Sequence, residues 1–545
     1  MHLTFCTDPL LPKTRLEAWG NDRLVRCFVD RPANFLSMLQ SAVSRFPTCK
    51  ALVFEGQHWT YQEVWRSVEH YAQVLHHLGI KPQDRVVLFV SNRVEFVFLL
   101  FAIQYLGAIA VPVGIREQRP GLTYIMNQCK AKAVAFDLSL AERIPVKADV
   151  ASLDHRICID IDKSDQILST AQTVALPNLL AKQSHVEIPI FVADQFDVAA
   201  ILYTSGTTGN PKGAMITQAN IVHSALHYQY GMHLTENDAS MLAVPASHVT
   251  GLIAIIAAMV QVGGATLIMR EFKAKQFLEF AAKENMTHTL MVPAMYSLCL
   301  LEPSFCAEAL KHWRIGGYGG APMPVAVIEQ LAKHLPNLDL RNAYGATETT
   351  SPVTLIPAGM NDAHLDSVGR VLPCADVRIM NDAGQEVPFG ETGELWINGP
   401  MVVSGYWNNP EATAQSFTAG YWHSGDLGCM DEEGFVKIFD RKKDMLNRGG
   451  FKIYSVEVEN CLMGIPGVLE AAIVGKPCPV LGERVHAFIY APNQSILQDI
   501  VTAHCKQALA DYKVPETVSW LDAPLPRNAN GKVMKRQLRL DFKFL

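Results

Sequence analysis

An α/β fold in more than one domain is predicted by three features of this 545-residue sequence. Short apolar runs of strand length alternate with stretches of helical periodicity. Several of those runs lead directly into turns rich in glycine and hydroxyl side chains. Past about Asp440 the texture changes to a charged, locally connected unit of short strands and helices. Strands alternating with helices build parallel sheets, and open α/β sheets take their ligands beyond the carboxyl ends of the strands. The small-residue turns are therefore where a site is expected. At roughly 150 residues per domain, length alone suggests three or four units.

The elements follow in order. Thr60 and Glu63 form a capping box, after which Val64, Val68, Tyr71, Leu75 and Leu78 recur at helical steps and Gly79 stands where a helix C′ glycine belongs. An apolar run, Val86 to Val90, reads as a strand, and Val94 to Leu106 as an apolar helix closed by Gly107 and Pro112. Further strands are predicted at Ala133 to Phe136, Ala199 to Tyr203, Thr266 to Met269 and Leu290 to Pro293. Ala239 to Met269 contains no Asp, Glu, Lys or Arg, but its longest strictly apolar run, Leu252 to Val260, is nine residues. Spanning a bilayer takes about 18, so a buried helix between two strands is expected and no transmembrane segment.

Composition sets the broad class. The chain is 49% hydrophobic and 18% charged, with 36 glycines and 30 prolines, which describes a globular protein and excludes disorder as its main state. A net charge of −6 supplies no field to gather nucleic acid or an anionic membrane. The 12 cysteines are scattered with no Cys-x-x-Cys pair, so buried reduced thiols are expected. The start, MHLTFCTDPLLPKTR, lacks the basic and apolar regions of a signal peptide, which points to the cytoplasm.

The strongest local signal is Tyr203-Thr204-Ser205-Gly206-Thr207-Thr208-Gly209-Asn210-Pro211-Lys212-Gly213. It sets three glycines, four hydroxyls and one lysine behind an apolar strand. Glycines let backbone N–H groups approach a polyanion, hydroxyls donate to phosphate oxygens and Lys212 adds charge, which is chemistry for a nucleotide triphosphate. No Gly-Lys-Ser/Thr triplet ends the loop, so it is not a Walker loop.

The loop resembles the signature of the AMP-forming adenylate synthetases, the superfamily of acyl-CoA synthetases, peptide-synthetase adenylation domains and beetle luciferases. Five more motifs resemble the family's in the same order. Gly319-Gly320-Ala321-Pro322 matches the turn beside adenine and the acyl group. In Asn342-Ala343-Tyr344-Gly345-Ala346-Thr347-Glu348 the resemblance implies Tyr344 stacked on adenine, Thr347 on the α-phosphate and Glu348 on Mg²⁺. Tyr421-Trp422-His423-Ser424-Gly425-Asp426 implies an aspartate accepting from the ribose hydroxyls, and Asp440-Arg441-Lys442-Lys443-Asp444 a hinge with Arg441 near ribose and Lys443 at the pivot. Pro526-Arg527-Asn528-Ala529-Asn530-Gly531-Lys532 makes Lys532 the lysine between the carboxylate and the α-phosphate.

The resemblance implies a large N-terminal domain of stacked mixed and parallel sheets with helices, residues 1–440, and a small mobile α+β domain, 441–545. It implies ATP, Mg²⁺ and CoA as reactants with a small carboxylic acid, and no nucleic acid partner; an oligomer, where one forms, is expected to be a homodimer. Asn447-Arg448-Gly449-Gly450-Phe451 resembles the pantetheine channel of CoA ligases, so free CoA is the expected acceptor through Gly449, Gly450 and Phe451. Amino-acid activation is disfavoured, because Pro245 to Gly251 lacks the expected aspartate and His248 matches the histidine of acyl-CoA and aryl-CoA synthetases. Val249, Gly251, Met295 and Tyr318 suggest an apolar acyl pocket. Two alternatives stay open: a ligase that loads a carrier-protein thiol, since such ligases share most of these motifs, and a non-catalytic nucleotide-binding scaffold. A luciferase is disfavoured.

Overall fold

The structure, a computed structural model, describes residues 12–20, 23–160, 173–182, 188–204, 210–361, 363–492, 497–527 and 533–543. It divides into two compact units, one of residues 1–323, 329–377 and 397–422, the other of residues 324–328, 378–396 and 423–545. Packing thus groups residues 423–440 with the C-terminal part, whereas the boundary read from the sequence follows a change in composition at Asp440.

Two sheets organise the first unit. One runs in the order Lys212–Thr217, Val198–Thr204, Ile109–Pro112, Arg85–Phe89, Ala133–Phe136, His155–Cys158, Thr173–Ala175, parallel except for its first strand. The other is parallel from Asp339–Tyr344 through Ile315–Gly319, His288–Met291, Ala239–Leu242 and Ala265–Ile268 to Lys50–Phe54. Antiparallel strands extend both of its ends. The helix Tyr61–His77 packs on the Lys50–Thr60 hairpin, the helix Val94–Tyr105 on the Arg85–Pro112 strands, and the two helices on each other. Val94–Tyr105 is buried at every position but Glu95, as an apolar helix inside a layered core must be. That shared helix layer makes one unit of what length alone would divide further.

The predicted helix start is present: Thr60 N–H donates to Glu63 Oε2 at 2.8 Å, and Glu63 N–H donates to Thr60 Oγ1 at 3.3 Å. Gly79 closes the helix at φ +76°. The strand expected at Leu290 to Pro293 lies two residues earlier, at His288–Met291, because Pro293 opens the next helix, Pro293–Leu300, where its missing N–H costs nothing. The charge-free segment is a buried helix between strands, but its first part, Thr250–Ala257, is wound as a π-helix. Gly251 is required there: a Cβ would lie 2.3 Å from the Pro245 carbonyl oxygen. Among the described residues, no helix is long and apolar enough to cross a membrane, and the cysteines are free.

In the second unit the strand Phe435–Arg441 pairs antiparallel with Tyr421–Met430. A smaller sheet has the order Phe451–Ile453, Leu446–Arg448, Gly482–Tyr490, Glu470–Cys478, with Thr517–Leu521 parallel to Gly482–Tyr490. Val458, Leu462, Val501 and Cys505 of the helices Ser455–Met463 and Gln498–Ala508 pack with Ile473 and Ile489 in one core. Leu538 of the helix Lys535–Asp541 packs in a second, with Val474 and Phe488.

Candidate active site

The glycine-hydroxyl loop joins two antiparallel strands, Val198–Thr204 and Lys212–Thr217, with Thr204 paired to Lys212. Its centre, Ser205, Gly206, Thr207, Thr208 and Gly209, lies outside the described residues, as does Lys532. The two ends are in place. Thr204 Oγ1 lies 3.5 Å from Glu348 Oε1 and 3.4 Å from the Lys212 carbonyl oxygen. Glu348 is 9% exposed, and its Oε1 accepts a second hydrogen bond from the Tyr406 hydroxyl at 2.9 Å. Lys212 Nζ stands 5.2 Å from the centre of the Tyr406 ring. Burial, and then the Glu348 carboxylate, push the Tyr406 phenol above its ordinary range, so it remains a donor.

Tyr406 was not among the residues expected from sequence. Backbone bonds seat it: Met215 N–H donates to the Gly405 carbonyl at 3.1 Å and Trp407 N–H to the Gly213 carbonyl at 2.7 Å. A further bridge pairs Ala214 with Tyr406. The strand that leaves the phosphate loop therefore places the tyrosine. Gly405 before two aromatic residues was the local signal, but nothing in that string points to residue 348.

Glu348 sits in a single tight turn, Thr347–Thr349, after the strand Asp339–Tyr344 that carries Asn342, Ala343 and Tyr344. Its carbonyl accepts from Val403 N–H at 2.9 Å. The chain turns out of the site through Thr350 at φ +50° and Ser351 at φ +34°, unusual backbone for either residue. Thr350 Oγ1 is buried and has no hydrogen-bond partner among the described residues. The neighbouring strand Ile315–Gly319 sets Gly319 opposite Ala343, where a Cβ would meet the Ala343 oxygen at 2.4 Å. Gly320 follows at φ +76°, and Gly320, Ala321 and Pro322 are exposed at the carboxyl end of that strand. Asn342 Nδ2 donates to the Ser367 carbonyl at 3.3 Å, Tyr344 is half-buried, and Gly345 opens the turn to Thr347.

These residues fit Mg²⁺. That ion typically takes one or two protein carboxylates and completes its shell with phosphate oxygens and water. Glu348 is a buried hard carboxylate whose side-chain hydrogen bonds, among the described residues, engage Oε1. No cluster of three or more His, Cys, Asp or Glu side chains able to hold a metal occurs among the described residues. A cation held here by Glu348 would need phosphate oxygens and water to complete its shell.

In the second unit Asp426, 4% exposed, lies directly opposite Arg441. Arg441 Nε pairs with Asp426 Oδ1 at 2.7 Å, and Arg441 Nη1 donates to the Ser424 carbonyl at 2.9 Å. Two residues on, Lys443 is exposed, while Lys442 pairs with Asp382 at 2.8 Å. Gly449 and Gly450, at φ +59° and +92°, make the two-residue turn of the hairpin Leu446–Arg448/Phe451–Ile453, as a primed hairpin turn requires. Phe451 beside it is 56% exposed and stacks on Tyr512 at 4.6 Å.

The residues expected on the acyl side follow neighbouring parallel strands. His248, Val249 and Gly251 come after Ala239–Leu242; Met295 comes after His288–Met291, next to the strand of Tyr318. His248 Nδ1 lies 3.2 Å from Thr250 Oγ1. The ring keeps some exposure, yet the surrounding protein depresses its proton affinity and favours neutral imidazole. Val249 and Gly251 are buried and Met295 half-buried. Tyr318 is 2% exposed, its hydroxyl donating to Asn361 Oδ1 at 3.0 Å.

This chain is similar to known proteins over nearly its whole length. It is 30% identical to a long-chain-fatty-acid–CoA ligase of Escherichia coli, covering 94% of this chain and 95% of the relative. It is also 30% identical to a feruloyl-CoA synthase of Amycolatopsis, covering 91% and 96%. Among solved structures, the o-succinylbenzoate CoA synthetase of Bacillus subtilis with its acyl-adenylate intermediate is 28% identical at a TM-score of 0.81, over 94% of this chain and 99% of that one. The same enzyme with ATP and magnesium ion also gives 0.81 at 28% identity, over 92% and 99%. The model of the AMP-binding enzyme C-terminal domain matches residues 457–532. With the AMP-binding enzyme model matching residues 39–407, the chain belongs to the AMP-forming adenylate synthetase superfamily, on its acyl-CoA synthetase-like side.

Proposed function

We propose that the protein is an ATP-dependent, AMP-forming acyl-CoA synthetase for an apolar carboxylic acid, fatty or aryl, acting in the cytoplasm. A carboxylate oxygen of the acid attacks the α-phosphorus of ATP and pyrophosphate leaves, forming an acyl-adenylate. The CoA sulfur then attacks the acyl carbon, the thiol proton is lost and AMP leaves. The observation that carries this reading is the meeting of Thr204 and Tyr406 at the buried carboxylate of Glu348, with Lys212 over the Tyr406 ring. Relatives named for fatty-acyl, feruloyl and o-succinylbenzoyl groups support a carboxylic acid as substrate and CoA as acceptor.

The first step brings two anions together, so the protein's work is charge neutralisation and orientation. Glu348 would hold Mg²⁺, which when bound draws charge from the phosphate oxygens. Thr204 to Gly209 and Lys212 donate to the phosphates, with Thr347 at the α-phosphate. Tyr344 covers one adenine face beside Asn342, Ala343 and Gly345, with Gly320, Ala321 and Pro322 at its edge. Asp426 accepts from the ribose hydroxyls and Arg441 orients it. Lys532 serves the first step, between the carboxylate and the α-phosphate. His248 lies at the substrate carboxylate, Val249, Gly251, Met295 and Tyr318 line the acyl group, and Gly449, Gly450 and Phe451 guide the thiol of CoA.

The test is pyrophosphate release with ATP, Mg²⁺ and a panel of fatty and aryl acids, with and without CoA. The expected result is acid-dependent release, with stoichiometric thioester once CoA is present. Release without thioester would favour loading of a carrier-protein thiol instead. No release with any acid would leave a nucleotide-binding scaffold.

A further inference from the structure

The strand Phe435–Arg441 ends in two residues with opposite outlooks, since side chains alternate across a strand. Arg441 faces Asp426; Asp440, 2% exposed, turns toward the helix Ser455–Met463. Tyr454 at that helix's N-cap makes no side-chain cap bond. Asp440 supplies one from outside: Oδ1 accepts from the Ser455 hydroxyl at 3.0 Å and Oδ2 from Ser455 N–H. The same Oδ1 accepts from Arg441 N–H at 2.7 Å. Ser455 in turn accepts from Lys535 Nζ at 2.6 Å, and Lys535 Nζ pairs with Glu459 Oε1 at 2.7 Å. Glu459 is one helical turn beyond Ser455 and accepts from Ile473 N–H at 2.8 Å.

We propose that Lys535 is a positioning residue for the nucleotide: acting through Ser455 and Asp440, it fixes the backbone from which Arg441 orients Asp426 toward the ribose hydroxyls. Every link lies within the second unit. A second contact from the same helix reinforces it: Arg539 stands 3.8 Å from Asp444, whose own N–H donates to the Arg441 carbonyl at 2.9 Å. The helix Lys535–Asp541 thus holds the chain on both sides of Arg441. The network places one lysine between two carboxylates, and its side chain is only 14% exposed. Burial already pushes both Asp440 and Glu459 above the usual carboxylate range. Removing the ammonium would leave two desolvated carboxylates without their shared cation, and Asp440 would take up a proton or turn away from Ser455 and Arg441.

This inference rests on the proposed ribose role of Asp426 and Arg441. Its measure is the preference for ATP over 2′,3′-dideoxy-ATP, as the ratio of kcat/KM values for pyrophosphate release. Loss of folded enzyme lowers both values together and leaves the ratio unmoved. Lys535→Met is expected to reduce the preference about tenfold, the size of one charge-assisted hydrogen bond. Ser455→Ala breaks the relay but keeps the Lys535–Glu459 pair, and should reduce the preference at least about threefold. It decides the matter if Lys535→Met does not fold. Asp426→Asn is the reference: if it retains the preference, the ribose reading fails. If Asp426→Asn loses the preference while Ser455→Ala and any folded Lys535→Met keep it, the positioning role of Lys535 alone is wrong.

Discussion

Tyr406 is the residue whose role is most exposed to experiment. Tyr406→Phe keeps the ring under Lys212 and removes the hydroxyl that donates to Glu348 Oε1 and that also meets Ser416 and Trp422. A hydrogen bond to a charged group contributes about 1.5–3 kcal/mol. If Glu348 holds Mg²⁺ as proposed, the apparent affinity for Mg²⁺ should fall at least about tenfold, with little change in thermal midpoint; titrating Mg²⁺ at saturating ATP and acid reads it. An unchanged Mg²⁺ dependence would remove Tyr406 from the site. Lys532 carries a complementary prediction. Lys532→Ala should slow acyl-adenylate formation by about 10²–10³, the usual effect of removing one preorganised contact, while supplied acyl-adenylate and CoA still yield thioester. Equal loss in both half-reactions would contradict a role confined to the first step. Glu348 was legible because a family motif surrounds it; Tyr406 was not, because its partner is 58 positions away and long-range backbone bonds, 213–215 to 405–407 and Val403 to Glu348, bring them together.

At the scale of elements, local physics was legible wherever one short string holds the whole cause. The Thr60–Glu63 capping box starts its helix, and Gly79 ends it, through contacts within one turn. The π-helical turn at Thr250–Ala257 has no such signature: its apolar residues would suit an α-helix equally, and what requires Gly251 is the Pro245 carbonyl folding back onto it. The helix Gln218–Gly231 carries a different prediction. His223 and His227 are 0% and 1% exposed, and burial pushes their imidazoles down to about 4 and about 3. Among the described residues His223 Nε2 and His227 Nδ1 have no hydrogen-bond partner. Both rings therefore stay neutral in the fold, while an unfolded chain takes up protons near pH 6.5. The unfolded state binds more protons below that pH, so stability is full above about pH 6.5 and falls with pH down to about 4. Urea unfolding from pH 7.5 to 4.5 should show the midpoint dropping. His227→Gln retains an acceptor for the Cys374 N–H, 3.3 Å from His227 Nε2, and cannot titrate; it should flatten the slope. An identical slope would place the acid sensitivity elsewhere.

On the whole-molecule scale the two compact units set the terms, because the residues assigned to phosphate and metal belong to the first and those assigned to ribose and thiol belong to the second. A chain of this length with a net charge of −6 gives no hint of that division. The motifs do: Thr204 to Gly213 gathers glycines and hydroxyls with one lysine, whereas Asp440 to Asp444 sets three cations between two carboxylates. The family resemblance expects one site to serve two reactions by rotation about Lys443, and backbone chemistry makes that testable. Lys442 N–H donates to the Gly425 carbonyl and Asp444 N–H to the Arg441 carbonyl, whereas Lys443 N–H makes no backbone hydrogen bond among the described residues. Proline at 443 would thus delete no such bond, yet it would lock φ near −65° at the proposed pivot. Lys443→Pro is expected to leave acyl-adenylate formation within about threefold and to slow thioester formation by at least about tenfold, because only the second step needs the other orientation. Single-turnover measurement of each half-reaction separates the two. Slowing of both steps alike would mean a distorted fold, and full retention of both would put the pivot at another residue.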